Sequence, residues 1–340
     1  MDRVRIQADP MARSRPATAS LLRPWLEALS PPGARGRLAI LIFHRVHPRR
    51  DALFPGEMHA ELFRERLQWL QSTFTVMPLA EAVAARARGT LPARALCVTF
   101  DDGYADNAQV ALPILRELGL HATFFVATGF LNGGRMWNDT VIESVRRAAG
   151  PTLDLANLGL GQHSIDSDDA RRGAALALLG RLKYLEPDER EAKVEAIATV
   201  AGKVLPHDLM LSSVQLRGLA AAGMGIGGHT VTHPILSRLG ASRAKREIAD
   251  GRDELETIVR QPVRLFAYPN GKPGVDYTAE HVSMVRELGF DAAVSTAWGA
   301  ARSAHSAFEL PRFTPWDTTS FKWGVRLFRN YFATPACATA

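Results

Sequence analysis

Two adjacent carboxylates and two closely spaced histidines are the residues of this chain whose types and spacing best suit chemistry. The first cluster is Thr99-Phe100-Asp101-Asp102-Gly103-Tyr104. Successive side chains of an extended chain point to opposite sides, so Asp101 and Asp102 need not serve one purpose. One can bind a cation while the other keeps a lone pair for a proton, although Asp-Gly is also ordinary turn chemistry. The second cluster is Gly228-His229-Thr230-Val231-Thr232-His233-Pro234. Histidines four apart can converge on a metal from a tight loop. Pro234 bars a long helix through the pair and the Glu is missing, so this is not the helical HExxH of a metalloprotease. One Asp with two His makes an open three-ligand zinc set that leaves room for water. The third cluster, Phe266-Ala267-Tyr268-Pro269-Asn270-Gly271, puts an aromatic ahead of a turn that can wall a sugar site, and is equally good turn chemistry.

Each cluster follows a short apolar run. Residues 95–100 (ALCVTF) read as a buried strand, as do 37–43 (RLAILIF, followed by His44 and His47), 122–126, 262–268 and 290–295. Residues 224–228 form a short glycine-rich strand leading into His229. Helical spacing falls between these runs, over 61–73, 79–88, 105–118, 212–222, 242–260 and 278–288. Strand and helix alternating at this pace predict βαβ units and a parallel sheet, whose sites collect at the carboxyl ends of the strands. From Trp137 to about Leu205 the pattern is helical with no convincing strand, the mark of an insertion or a small lid, and Trp137 and Asn138 stand at its entry.

The chain has 340 residues, 46% hydrophobic and 22% charged, an ordinary globular composition that excludes disorder, collagen and coiled coil. Cys97 and Cys337 form neither a disulfide framework nor a metal knuckle. The formal charge of +6 is local. Residues 1–50 hold ten Arg against three acids, whereas the other 290 residues hold 31 basic and 32 acidic side chains. A neutral body with a basic arm argues against nucleic acid as a partner. In that arm Leu21, Leu22, Trp25, Leu26 and Leu29 share a face if 20–29 is helical, which suits weak contact with an anionic membrane surface or docking on the domain; the alternative is a disordered leader. No apolar h-region precedes a small-residue cleavage site in residues 1–37, so the expected location is cytoplasmic, peripheral to the inner membrane, with export as the alternative.

TFDDG, HTxxHP and FAYPNG, in that order at three strand ends, resemble the motifs of the polysaccharide deacetylases, the NodB-like carbohydrate esterases. The resemblance implies a distorted (β/α)7 TIM-like barrel over residues 38–130 and 206–320. A basic arm (1–37), an α-helical insertion (131–205) and a C-terminal tail (321–340) surround it. It also implies removal of N-acetyl groups from an amino-sugar polymer or oligomer with one divalent metal, zinc by default, with cobalt, nickel or iron fitting the same donors. Carried over residue by residue, Asp102, His229 and His233 hold the metal and Asp101 is the general base. The Tyr104 backbone N–H serves the oxyanion, and Tyr268 and Asn270 adjoin the substrate. Two departures stand out. The family's Arg in the third motif is Ala267 here, and its late His is absent from Glu309-Leu310-Pro311-Arg312-Phe313. Both resemble the branch acting on biofilm poly-N-acetylglucosamine, where a His after the first strand replaces the late one; that makes His44 the acid. Two other readings stay open: a retired, carbohydrate-binding version of the fold, and a hydrolase of small cyclic amides.

Overall fold

The computed structural model describes residues 17–314, 317 and 319–339. The strands among them are β1 (Ala39–Phe43), β2 (Thr75–Val76), β3 (Ala95–Phe100), β4 (Thr123–Val126), β5 (Thr152–Leu155), β6 (Gly161–Ser164), β7 (Gly225–Gly228), β8 (Leu265–Ala267) and β9 (Ala292–Val294). The helices are α1 (Ala17–Leu29), α2 (Ala60–Thr73), α3 (Leu79–Ala87), α4 (Leu112–Leu118), α5 (Trp137–Arg147), α6 (Asp168–Leu182), α7 (Pro187–Ala201), α8 (Ser213–Ala221), α9 (Ala241–Val259), α10 (Ala279–Glu287) and α11 (Ser320–Asn330). None of them is long and apolar enough to cross a membrane.

A seven-stranded sheet runs β1-β3-β4-β7-β8-β9, with β2 paired to the start of β3, and every pairing in it is parallel. Parallel strands covered on both faces need apolar side chains on both, which is why β1 and β3 are unbroken apolar runs buried at every position. Residues 310–313 close the sheet: Leu310 bridges to Val294 on β9 and Phe313 to Leu41 on β1. The result is the distorted α/β barrel that the sequence implies.

Alternation divides the core. Ile40, Cys97, Phe125, Leu265 and Val294 fill the barrel interior, while Leu41, Val98, Phe124 and Phe266 belong to the larger core that includes the helices. A Cβ on Gly227 would come within 2.3 Å of the Phe125 ring, so the bareness of β7 is what admits that ring.

Three elements depart from expectation. The insertion contains an antiparallel hairpin of β5 and β6 beside α5, α6 and α7, around a core of its own that includes Val141, Leu153, Leu178 and Ile197. Residues 105–118 are not one regular helix: the chain widens into a π turn over Asn107–Ala111 before α4. The first half of the expected tail is α11, whose Trp323 is buried edge-on against Trp69 at 5.3 Å. At the other end α1 packs on α2 and α11, with Leu26 buried and Leu22 and Leu29 against the core. That part of the apolar stripe therefore faces the domain and not a membrane surface; Trp25 points outward. Residues 1–16 of the basic arm lie outside the described residues.

Candidate active site

Register decides which side chains reach the barrel mouth. Ile42 is paired with Thr99 and Phe43 with Phe100, and the Asp101 N–H donates to the Phe43 carbonyl at 2.9 Å. One step on, His44 and Asp101 emerge on the inward side set by Ile40 and Cys97. His229 follows Gly227 in the same way at the end of β7.

His229 Nε2 lies 3.5 Å and His233 Nε2 lies 3.4 Å from the same oxygen, Oδ1 of Asp102. One ligand atom from each of the three residues falls within 4.8 Å of the others. Nδ1 of His229 is 2.7 Å from the Ala267 carbonyl, which holds the proton on that nitrogen and turns the Nε2 lone pair toward Asp102. A carboxylate and two imidazoles with open space beside them fit a divalent cation. Burial pushes the His233 imidazole down to about 4, so it is a neutral donor at pH 7. Burial works against ionising Asp102, but His229 and His233 outweigh it and hold the carboxyl well below its usual range.

The backbone of this site is bent out of common conformations. Asp102, Thr230 and His233 have φ of 76°, 67° and 53°, left-handed values that cost about 1–3 kcal/mol each. Compensation comes from α9, which the sequence reading left out of the site. The Glu247 carboxylate accepts from the N–H groups of Val231 and Thr232 at 3.0 and 2.8 Å and from the Thr232 hydroxyl at 2.7 Å. A Cβ on Gly251 would stand 2.8 Å from the Thr230 carbonyl carbon, so glycine there lets α9 come close enough for Glu247 to reach the loop.

Asp101 has a different partner. Both its oxygens receive Arg312, at 2.6 Å each, and Arg312 also donates to Thr99 Oγ1 at 3.2 Å and the Ser295 carbonyl at 3.1 Å. Burial would raise the Asp101 pKa, yet the guanidinium and His229 carry it below the ordinary value. The arginine expected in the third motif thus arrives from the closing segment. A signal for it was present: an Arg inside a buried apolar stretch needs a carboxylate.

His44, Asn270 and Thr296 line a cavity of about 220 Å³ together with Asp101, Asp102, His229 and His233. His47 does not; it bridges to His59. The Tyr104 hydroxyl donates to Asp139 at 3.2 Å, and Arg45 lies over its ring at 4.7 Å, so only the backbone of Tyr104 is left for an oxyanion. Tyr268 is a correction. Its ring is fully buried, stacked on Tyr277 at 3.9 Å with its hydroxyl on the Phe308 carbonyl, because the chain turns outward only after it; it walls no ligand site. A second cavity of about 400 Å³ continues from Asp102, His233 and Asn270 to Trp137, Lys183 and Arg190 of the insertion.

Fold and site together define an α/β barrel protein with an Asp-His-His cluster at its strand ends. The polysaccharide deacetylase pattern matches residues 88–157 and 190–293, just over half of the chain, and the chain belongs to that family. It is 20% identical over 290 residues to YxkH of Bacillus subtilis (strain 168), a polysaccharide deacetylase by assignment, covering 85% of this chain and 73% of that one. Among solved structures it resembles the Streptococcus pyogenes deacetylase PplD in complex with acetate, with TM-score 0.57 and 20% identity over 86% of this chain and 97% of that one. It also resembles IcaB from Ammonifex degensii, with TM-score 0.55 and 19% identity over 88% and 98%.

Proposed function

We propose that this deacetylase removes N-acetyl groups from amino-sugar residues of a poly- or oligosaccharide, with one divalent cation held by Asp102, His229 and His233. The observation that carries this reading is the single cavity shared by those three donors, a second carboxylate (Asp101) and a further imidazole (His44). Bound there, a cation supplies Lewis acidity, making water more acidic and polarising the acetamide carbonyl. Zinc is the default for such donors.

Asp101 takes the proton of the attacking water. Arg312 occupies one lone pair on each of its oxygens and keeps the group ionised, while Oδ2 stays 3.8 Å from His229 Nε2 and so faces the ligand set. The Tyr104 N–H is the donor for the developing oxyanion. An amine leaves poorly unprotonated, and His44 on the same rim donates that proton. An imidazole after β1 in place of the late histidine is the feature this site shares with the branch acting on poly-N-acetylglucosamine, a likeness in the acid and not in the polymer.

Acetate release from N-acetylglucosamine oligomers, with and without chelator, is the test. Release abolished by chelator and restored by zinc supports the proposal. Binding without release points to a retired carbohydrate-binding protein, and activity on small cyclic amides alone to the third reading.

A further inference from the structure

We propose that the groove between the insertion and the barrel mouth is an anion-binding subsite, and that the substrate is an N-acetylated glycan bearing a carboxylate or phosphate next to the sugar deacetylated. This rests on reading the adjoining cavity as the deacetylation site.

The groove begins at Asp102 and His233 and ends at Lys183 and Arg190. Leu176, Leu179, Gly180 and Lys183 recur at helical spacing, so one face of α6 and its C-terminal end form one wall. Arg190, near the start of α7, lies 5.1 Å over the Trp137 ring and donates to the Lys183 backbone carbonyl at 3.4 Å, and Lys183, at that end of α6, has its ammonium 5.5 Å over the Tyr184 ring. Both cations are half-buried. Among the described residues neither is ion-paired with a carboxylate, and the one acid lining the groove, Asp102, belongs to the ligand set. Burial weakens the hold of Arg190 on its proton, and only its chain neighbour Glu191 acts the other way. Two partly desolvated cations without a counter-ion recover their lost solvation when an anion enters, through charge-assisted hydrogen bonds. A neutral glycan offers that pair only hydroxyl acceptors, which leave both charges uncompensated, whereas an anion supplies charge-assisted hydrogen bonds. Its position beyond the ligand set places the anion on a neighbouring residue, not on the acetamide.

The test compares three probes of equal length: neutral N-acetylglucosamine oligomers, oligomers alternating with a uronic acid, and oligomers carrying phosphate. Calorimetry on the Asp101→Asn protein gives Kd and acetate release by the wild type gives kcat/KM, both at low and high salt. One anionic class is expected to bind at least tenfold tighter than the neutral one, with the advantage shrinking as salt rises; which class does so separates carboxylate from phosphate. The double variant Lys183→Gln/Arg190→Gln should lose most of that advantage, and Arg190→Lys should keep it. If the double variant does not fold, Lys183→Gln alone supplies the readout. Equal binding of all three probes, or an anion preference that survives the double variant, overturns the subsite. Kd is read without turnover, so a failure to release acetate from any probe counts against the deacetylation reading and leaves the subsite to be judged by binding.

Discussion

Arg312 grips Asp101 through both arms of its guanidinium, 2.6 Å at each contact, across 211 residues of chain. The pair is buried, and it forms only because residues 310–313 close the barrel between β9 and β1. Replacing Arg312 by Met leaves a buried carboxylate without its partner, a loss of about 3–5 kcal/mol at pH 7. The folded pKa of Asp101 lies below its unfolded value, so its contribution is present above about pH 3.9 and disappears as pH falls through the folded value. Denaturant unfolding should therefore show a wide gap between wild type and Arg312→Met at pH 7 that narrows toward pH 3. Equal stability at pH 7 would remove the pair from any account of the fold.

Metal and base separate by mutation. Asp102→Ala, His229→Ala and His233→Ala should each lose bound cation and nearly all turnover, because three donors leave no redundancy. Asp101→Asn should keep the cation and lose turnover by ~10²–10⁴-fold, since only the proton acceptor is removed. Metal analysis after dialysis, set beside kcat, distinguishes them. Cation loss in Asp101→Asn would mean the two aspartates exchange roles.

His44 and His47 make a matched comparison. His44 lines the cavity of the ligand set, whereas His47 bridges to His59 elsewhere. His44→Ala should retain metal and substrate binding, lower kcat and alter the acid-to-neutral part of the pH profile, and His47→Ala should be mild. Indistinguishable kcat in the two variants would dismiss His44 as the acid.

The parts of this molecule legible in its sequence are those governed by local rules. β3 matches its apolar run residue for residue, and β1 lies within its run, because strands buried on both faces advertise themselves. The clustering of Asp102, His229 and His233 was legible because Asp102 lies just past β3 and the loop carrying both histidines starts at the end of β7, and the ends of those strands must converge. The hairpin was not: Thr152–Leu155 is four residues long, and Gly161–Ser164 buries none. Arg312 and Glu247 were missed for another reason. Their partners lie far off in sequence, and only barrel closure and the approach of α9 bring them together. Tyr268 misled because an aromatic before a turn looks the same whether the turn begins before or after its ring is buried.

Glu247 gives the next expectation. It touches no ligand atom, but its carboxylate gathers the Val231 and Thr232 N–H groups and so holds the loop between the two histidines. Glu247→Ala should weaken cation affinity about 10–100-fold, as loss of an orienting group does, and Glu247→Gln, which can still accept from those donors, should recover part of it. Competition with a metallochromic chelator reads this directly. Unchanged affinity in Glu247→Ala would show that the strained loop holds itself.

Asp139 offers a test through pH. Its Oδ1 accepts from the Tyr104 hydroxyl at 3.2 Å, and among the described residues nothing reaches its buried Oδ2. Burial pushes its pKa up to about 7, with the Asp102 charge adding to the rise and Arg45 opposing it. A carboxyl whose folded pKa exceeds its unfolded value favours the protonated folded state. Stability is therefore unaffected below about pH 4, declines as pH rises from there to 7, and stays reduced above. Asparagine copies the neutral acid in shape and still accepts from Tyr104. Asp139→Asn should thus match wild type near pH 4 and exceed it at pH 8, by at most roughly 4 kcal/mol if the whole shift is realised. The comparison belongs in chelator-treated protein, because a cation beside Asp102 would help Asp139 shed its proton. Parallel stability curves from pH 4 to 8, or a less stable Asp139→Asn at pH 8, would show that Asp139 is already ionised and satisfied in the folded protein.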